Sequence, residues 1–180
     1  LHGGNIVNKI MEPIWLANLS ENADAHKAGE AMEHIFTTPF MDNFVYIGGA
    51  GATIGLVIAL AWFARRKKAS KQAKALAPIT LVPGFFNINE PTMFGVPVVL
   101  NILLLAPFIV APIANLIIAY AAMATGIVPM TYTAPGWTTP PVISGFLATG
   151  SLSASVLQLL LIVIDVLLYL PFVANGEKRF

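Results

Sequence analysis

The chain has 180 residues, of which 57% are hydrophobic and only 11% are charged, with a net charge of +1 and a mean hydropathy of +0.76. Soluble domains carry about 25% charged residues, so the composition excludes an ordinary soluble domain and predicts an all-α integral membrane protein with several transmembrane helices. The absence of cysteine excludes disulfides and a thiolate nucleophile. The three histidines have no metal-binding spacing, so neither a metal nor a cofactor is predicted.

The first predicted span is residues 44–64. Residues 1–42 are moderately polar and too interrupted to predict a simple crossing, whereas 44–64 is apolar over 21 positions, close to the ~20 that a membrane helix needs. If this segment is helical, small residues share one of its faces. Such a face either packs closely against another helix or presents its backbone to a ligand. The small residues are Gly48, Gly51, Ala52 and Gly55.

A basic loop follows this span at residues 65–74, which contain six of the ten Lys and Arg residues. Because the loop comes directly after an apolar segment, its charge indicates membrane orientation and not nucleic-acid binding. The positive-inside rule places it in the cytoplasm. Lys178 and Arg179 at the end of the chain predict a cytoplasmic C-terminus for the same reason.

Two later segments are broken by proline and glycine, and each precedes a cleaner span. Residues 75–96 predict a re-entrant hairpin buried in protein, because lipid cannot satisfy the backbone groups that each break frees. A span is predicted at 97–128, with kinks at its prolines. Residues 129–150 predict an aromatic loop and a second re-entrant element, before a final span at 154–174. Paired broken segments of this kind are typical of transporter binding sites.

Between residues 75 and 176, Glu90 and Asp165 are the only Asp, Glu, Lys, Arg or His residues. A carboxyl group in such apolar surroundings is costly, and it persists when it has a partner, a water-filled cavity or a function. Beside Glu90, Asn87 and Asn89 either bind hydroxyl groups or cap the ends of broken helices. Asp165 is interpreted as the partner of another buried polar group, with direct ligand contact as the alternative.

The run GFFNINEPTMFGVPVVLN at residues 84–101 resembles the NEP-motif region of enzyme IIC, the membrane subunit of the bacterial sugar phosphotransferase system, of the lactose/cellobiose/chitobiose type. The His-Gly pair at residues 2–3, IGGAGATIGL at 47–56 and PGWTTPPVISGFLATG at 135–150 are similar to further segments of that family. A full-length member is more than twice as long. The resemblance therefore implies that residues 1–180 are the C-terminal, sugar-binding half, and that a homodimer forms mainly through the other half.

The resemblance also implies phosphorylation-coupled transport. A disaccharide binds in a cavity, is exposed inward, and is phosphorylated by a phosphocysteine on the separate subunit IIB. Glu90 is then the predicted general base, and His2 is a predicted sugar ligand or proton partner of Glu90. The predicted substrate-binding residues are polar or aromatic side chains of the two broken segments, namely Asn87, Asn89, Trp137, Thr138 and Thr139. For Trp137, a place in the interfacial aromatic belt is the alternative to stacking on sugar.

Two other classes of function stay open at this point. One is a proton-coupled secondary transporter that uses Glu90 and Asp165 as proton sites. The other is an inert membrane scaffold. Each hypothesis predicts a different result. The phosphotransferase hypothesis predicts uptake that requires a phosphorylated partner, and the proton-coupled transporter predicts uptake that collapses with the proton gradient. The scaffold predicts that no ligand binds.

Overall fold

The computed structural model of the chain describes residues 3–66, 69–96, 98 and 101–177. These residues form helices joined by loops, with no β-strand among them, which confirms the predicted all-α class. The elements in chain order are α1 (Gly3–Ala28), α2 (Thr38–Phe40) continuing into a π-helical turn (Met41–Val45), α3 (Ile54–Ala64), α4 (Lys71–Phe85), α5 (Glu90–Gly95), α6 (Ile102–Ala124), α7 (Ile143–Thr149) and α8 (Leu152–Glu177).

Two helices of the described part of the chain are long and apolar enough to cross a membrane. They are α6, with 23 residues, and the 24-residue stretch Leu152–Asn175 of α8. These helices coincide with the spans predicted at 97–128 and 154–174. Only 33% of the most apolar window of each helix is buried inside the chain. Most of their apolar side chains therefore face outward.

The segment predicted as a span at 44–64 is divided into three parts. The π-helical turn ends at Val45, residues 46–53 form a loop that we call the glycine loop, and α3 begins only at Ile54. Gly49 and Gly51 have φ angles of +97° and +81°, which a right-handed helix does not allow. The predicted face of small residues therefore does not form, and α3 has only 11 residues, about half the thickness of a bilayer core.

The N-terminal part contains a helix that hydropathy did not predict. Helix α1 runs to Ala28 and contains Pro13. One of its polar residues, Asn22, is buried and donates hydrogen bonds to the carbonyls of His34 at 2.6 Å and Thr131 at 3.0 Å. Tertiary contacts of this kind hold a polar helix against the loops, and the hydropathy of α1 alone does not contain that information.

Residues 75–96, predicted as a hairpin, form a helix, a turn and a second helix. Helix α4 packs against α5, and the turn between them covers residues 86–89. Pro78 and Pro83 lie within α4. Pro91 lies in the first turn of α5, where a missing N–H leaves no helical bond unmade.

Helix α8 is the central element, since it packs against α3, α6, α7 and the π-helical turn. Its contact with α3 is close, because a Cβ atom at Gly55 would lie 2.6 Å from the backbone carbonyl carbon of Asp165. Two apolar clusters form around it. One contains Phe40, Phe44, Ile47, Ile54, Met123, Leu157 and Leu161, and the other contains Leu56, Phe63, Met93, Leu104, Tyr169 and Val173.

The glycine loop provides a test of the packing. In Gly51→Ala, residue 51 would have to keep a left-handed backbone that alanine adopts unfavourably, and its new Cβ would collide with the Phe108 ring. We expect the free energy of unfolding to fall by about 2–4 kcal/mol. Gly126 is the matched control, because it has a φ of +75° but no atom within 4 Å of the added Cβ. Gly126→Ala should cost only about 1 kcal/mol. Thermal unfolding of the full-length protein in detergent measures both, and equal losses would contradict the predicted collision.

Candidate functional site

Helix α4 ends in a Schellman motif whose left-handed residue is Asn87. The N–H of Asn87 donates to the carbonyl of Gly84 at 3.2 Å, and the N–H of Ile88 donates to the carbonyl of Pro83 at 3.0 Å. Asn87 has a φ of +60°, a conformation that asparagine tolerates better than most residues other than glycine. Its backbone therefore caps a broken helix end, which is one of the two roles that the sequence predicts for it.

The side chain of Asn87 connects three segments that are distant in the sequence. Its Oδ1 accepts a hydrogen bond from the N–H of Gly48 at 3.0 Å. Its Nδ2 donates to the carbonyls of Trp137 at 2.9 Å and Thr139 at 3.0 Å. Asn87 thus holds the glycine loop and the aromatic loop (residues 129–141) against the turn before α5. Both Nδ2 protons are used by these backbone carbonyls, and direct contact of Asn87 with a sugar stays a prediction.

Asn89 begins helix α5 with its backbone and contacts the glycine loop with its side chain. Its carbonyl accepts the first helical bond, from the N–H of Thr92 at 3.0 Å. Its Nδ2 donates to the carbonyl of Ala50 at 3.4 Å, which is a long bond. A Cβ atom at Gly49 would lie 2.6 Å from this Nδ2, so only glycine leaves room for Asn89 here.

Glu90 is the first residue of α5, and its side chain is exposed on the described part of the chain. The N-terminus of a helix favours a nearby negative charge by about 0.3–1 kcal/mol. Its neighbours in sequence include the exposed aromatic rings of Phe86 and Phe94. The carboxyl group is therefore available to a ligand, while the turn that carries it is held by Asn87 and Asn89.

The aromatic loop presents Trp137 at the same place. The carbonyl of Trp137 is bound by Asn87, while its indole side chain is 67% exposed. The N–H of Thr139 donates to the carbonyl of Gly136 at 2.8 Å and closes a tight turn. The side chain of Thr138 is exposed and that of Thr139 is half-buried. Of the predicted residues, the structure thus joins Asn87 in the first broken segment to Trp137 and Thr139 in the second, through its side-chain amide and their backbone carbonyls.

The histidines do not complete this site in the described structure. His2 lies outside the described residues, so its predicted role stays a prediction. The Nε2 of His34 is 2.6 Å from the Oε2 of Glu21, and the ring of His26 stacks on Tyr132 with the ring centroids 3.8 Å apart. Across the described ranges, no three His, Cys, Asp or Glu side chains converge as metal ligands would.

Asp165 lies on α8 and is buried from solvent. Its Oδ2 accepts a hydrogen bond from the Nδ2 of Asn115 at 3.0 Å. This contact agrees with the interpretation of Asp165 as the partner of a buried polar group. Of the two acids in the apolar part of the chain, Glu90 is therefore the exposed one and Asp165 the internal one.

Gln158 is a structural residue that the sequence analysis did not single out. Its Oε1 accepts hydrogen bonds from the N–H groups of Val142 at 2.7 Å and Gly145 at 2.9 Å. Its Nε2 donates to the carbonyl of Asn43 at 2.7 Å and to the Oγ of Ser144 at 2.9 Å. An amide side chain within the apolar sequence of α8 was the available signal, because such residues hydrogen-bond across helices.

Two helices of spanning length, together with polar residues on broken helices, are features of an integral membrane protein. The sequence profile of the family "Phosphotransferase system, EIIC" matches residues 1–112. The chain therefore belongs to this family of integral membrane proteins.

Known relatives agree with this assignment. The chain is 43% identical to the lichenan permease IIC component of Bacillus subtilis, over 99% of this chain and 39% of the relative. It is 44% identical to the cellobiose-specific EIIC component of Geobacillus stearothermophilus, over 99% and 40%. The crystal structure of the transporter ChbC, the IIC component from the N,N'-diacetylchitobiose-specific phosphotransferase system, superposes with a TM-score of 0.93 at 41% identity, over 99% of this chain and 41% of that chain. The chain spans about two fifths of the length of these proteins.

The role of Asn87 can be tested by Asn87→Gly, which keeps the left-handed backbone and removes only the side chain. Three backbone groups then lose their partners, and we expect the free energy of unfolding to fall by about 2–3 kcal/mol. Amide exchange at Gly48 and proteolytic cleavage within 129–141 should both become faster in the full-length protein. Asn18→Ala is the control, since Asn18 bonds the carbonyl of Phe36 in another loop at 2.8 Å. Unchanged exchange at Gly48 in Asn87→Gly would contradict the proposed connection.

Proposed function

We propose that this chain is the sugar-binding half of a phosphotransferase permease that translocates a β-linked disaccharide of the cellobiose, chitobiose or lactose class. The observation that carries the proposal is the set of three hydrogen bonds made by the Asn87 side chain. They connect the turn before Glu90 with the glycine loop and with the aromatic loop, which contains Trp137. An exposed carboxyl group and an exposed indole suit a sugar, because carboxylates bind hydroxyl groups and aromatic faces pack on the apolar face of a pyranose. The substrates named for the similar proteins support this class without identifying one sugar.

The proposed chemistry follows from Glu90 as a general base. A hydroxyl oxygen of the bound sugar attacks the phosphorus of a phosphocysteine on subunit IIB. As the new O–P bond forms, the S–P bond breaks and the cysteine leaves as a thiolate. The hydroxyl proton passes to the Glu90 carboxylate. This chain then supplies the base and the binding surface, while the phosphoryl donor belongs to the partner subunit, in agreement with the absence of cysteine here.

The membrane arrangement forms part of the proposal. Helices α6 and α8 cross the bilayer, and their outward apolar side chains contact lipid; among them are Ile109, Ile113, Ile117, Leu160, Val163 and Leu167. Helices α4 and α5 form a re-entrant hairpin, and α7 belongs to a second re-entrant element. The basic segment 65–74 and the C-terminus face the cytoplasm, where subunit IIB approaches. A homodimer forms mainly through the half of the protein that this chain does not contain.

The base role can be tested with Glu90→Gln in the full-length protein. We expect sugar phosphorylation by phosphorylated IIB to fall by about 10²–10⁴-fold, because glutamine has nearly the size of glutamate but its amide cannot act as a general base. Disaccharide binding, measured by calorimetry, should be retained. Phosphorylation at the normal rate would refute the role of Glu90.

Two variants give the controls for this experiment. Glu30→Gln removes an exposed acid outside the site and should leave phosphorylation unchanged. Trp137→Ala should weaken sugar binding, which Glu90→Gln is expected to retain. Its melting temperature should stay unchanged, because the indole is exposed. An unchanged affinity would assign Trp137 to the interfacial belt.

The orientation can be tested by single cysteines, since this chain has no native cysteine. Gln72 and Ala28 are suitable positions because both are exposed. Ser70 is less suitable because its hydroxyl caps α4 by accepting a bond from the N–H of Ala73 at 3.1 Å. In intact cells, a membrane-impermeant thiol reagent should label Ala28→Cys and spare Gln72→Cys until the membrane is opened. Labelling of Gln72→Cys from outside would invert the proposed topology.

A further inference from the structure

Two buried polar residues of α8 are not used by the proposed chemistry. Tyr169 and Asp165 are both 0% exposed and lie one helical turn apart. The hydroxyl of Tyr169 donates to the carbonyl of Gly51 at 2.7 Å. This bond joins the central helix of the fold directly to the glycine loop.

Asp165 is connected through Asn115 to the residue that precedes this loop. The Nδ2 of Asn115 donates to the Oδ2 of Asp165 at 3.0 Å and is 3.4 Å from the carbonyl of Val45, the residue just before the glycine loop. The Oδ1 atoms of both side chains are buried and lack a hydrogen-bond partner. Within the described residues, no ion pair includes Asp165. A buried carboxylate with one hydrogen bond and no ion pair is costly in such a place, which favours a neutral carboxylic acid.

The opposite side of the glycine loop supports the site. The N–H of Gly48 bonds the Oδ1 of Asn87, and the carbonyl of Ala50 accepts the long bond from Asn89. Asn115 of α6 therefore contacts the residue before the loop, and Tyr169 of α8 holds the carbonyl of Gly51. Between these two points, Gly48 and Ala50 bond the turn that carries Glu90. A displacement of Gly51 would pass to that turn through two hydrogen bonds.

We propose that Tyr169 and a neutral Asp165 are positioning residues for the sugar site, acting through the glycine loop and without touching the sugar. The affinity readout for this inference rests on the proposed function, whereas its structural readout does not. A residue that only stabilises the fold would change the melting temperature. A positioning residue must also change the loop and the binding of the sugar.

The first experiment compares Tyr169→Phe with Tyr120→Phe in the full-length protein, in a cysteine-free background. Both variants remove one hydroxyl from a tyrosine of an apolar helix, but Tyr120 is 44% exposed and packs beside Phe36 away from the glycine loop. Tyr169→Phe should weaken cellobiose binding by about three- to tenfold, as expected for one lost hydrogen bond. Tyr120→Phe should leave the affinity unchanged.

The structural readout is a nitroxide spin label on a cysteine that replaces Ala50, which is exposed in the glycine loop. The mobile component of its spectrum should increase in Tyr169→Phe and stay constant in Tyr120→Phe. An unchanged spectrum in Tyr169→Phe would overturn the inference. If the unmodified protein binds no disaccharide, the proposed function fails, but the spectrum still decides whether Tyr169 positions the loop.

A second pair of variants tests the neutral acid. Asp165→Asn keeps the shape and the acceptor for Asn115, so affinity and label mobility should stay within about twofold of the unmodified protein. Asp165→Leu removes the contact and should reproduce the effect of Tyr169→Phe or exceed it. If Asp165→Leu does not insert into the membrane, Asp165→Asn alone decides. A loss of affinity in Asp165→Asn as large as in Tyr169→Phe would overturn the assignment of a neutral Asp165.

Discussion

The fold depends on satisfying backbone groups where helices break in apolar surroundings. In water, the free N–H and C=O groups of such breaks are solvated, whereas in lipid each needs a partner from the protein. Amide side chains supply these partners here. Asn22, Asn87, Asn115 and Gln158 each bond the backbone of a segment far away in the sequence. The loops between the helices are therefore held in place by a few polar side chains, while the helices themselves pack through apolar contacts.

This arrangement separates support from chemistry. Polar groups that hold loops are buried or bonded to backbone, whereas the groups suited to a sugar, the carboxyl of Glu90 and the indole of Trp137, are exposed. Asn87, whose backbone is left-handed, has two supporting roles. Its backbone ends helix α4, and its side chain joins the glycine loop to the aromatic loop. Glu90 and Trp137 are therefore left exposed, while hydrogen bonds of Asn87 hold the segments that carry them.

Hydropathy and residue type predicted the all-α membrane class and the two long apolar helices α6 and α8. They were less successful at two places. The segment 44–64 is apolar throughout, so its composition does not distinguish a helix from the glycine loop followed by a short helix. Helix α1 is too polar for a hydropathy signal, and it is held by contacts such as those of Asn22 with His34 and Thr131.

The sequence by itself determined the family, through the NINEP run and the glycine- and tryptophan-containing segments, and it identified Glu90 and Asp165 as the two acids to explain. Those conclusions depend on local composition and motif. Only the tertiary structure decided that Glu90 is exposed, that Asp165 pairs with Asn115, and that Asn87 bonds residues 39, 50 and 52 positions away. The physical reason is that hydrogen bonds depend on distance and direction between atoms, and separation along the chain does not specify either one.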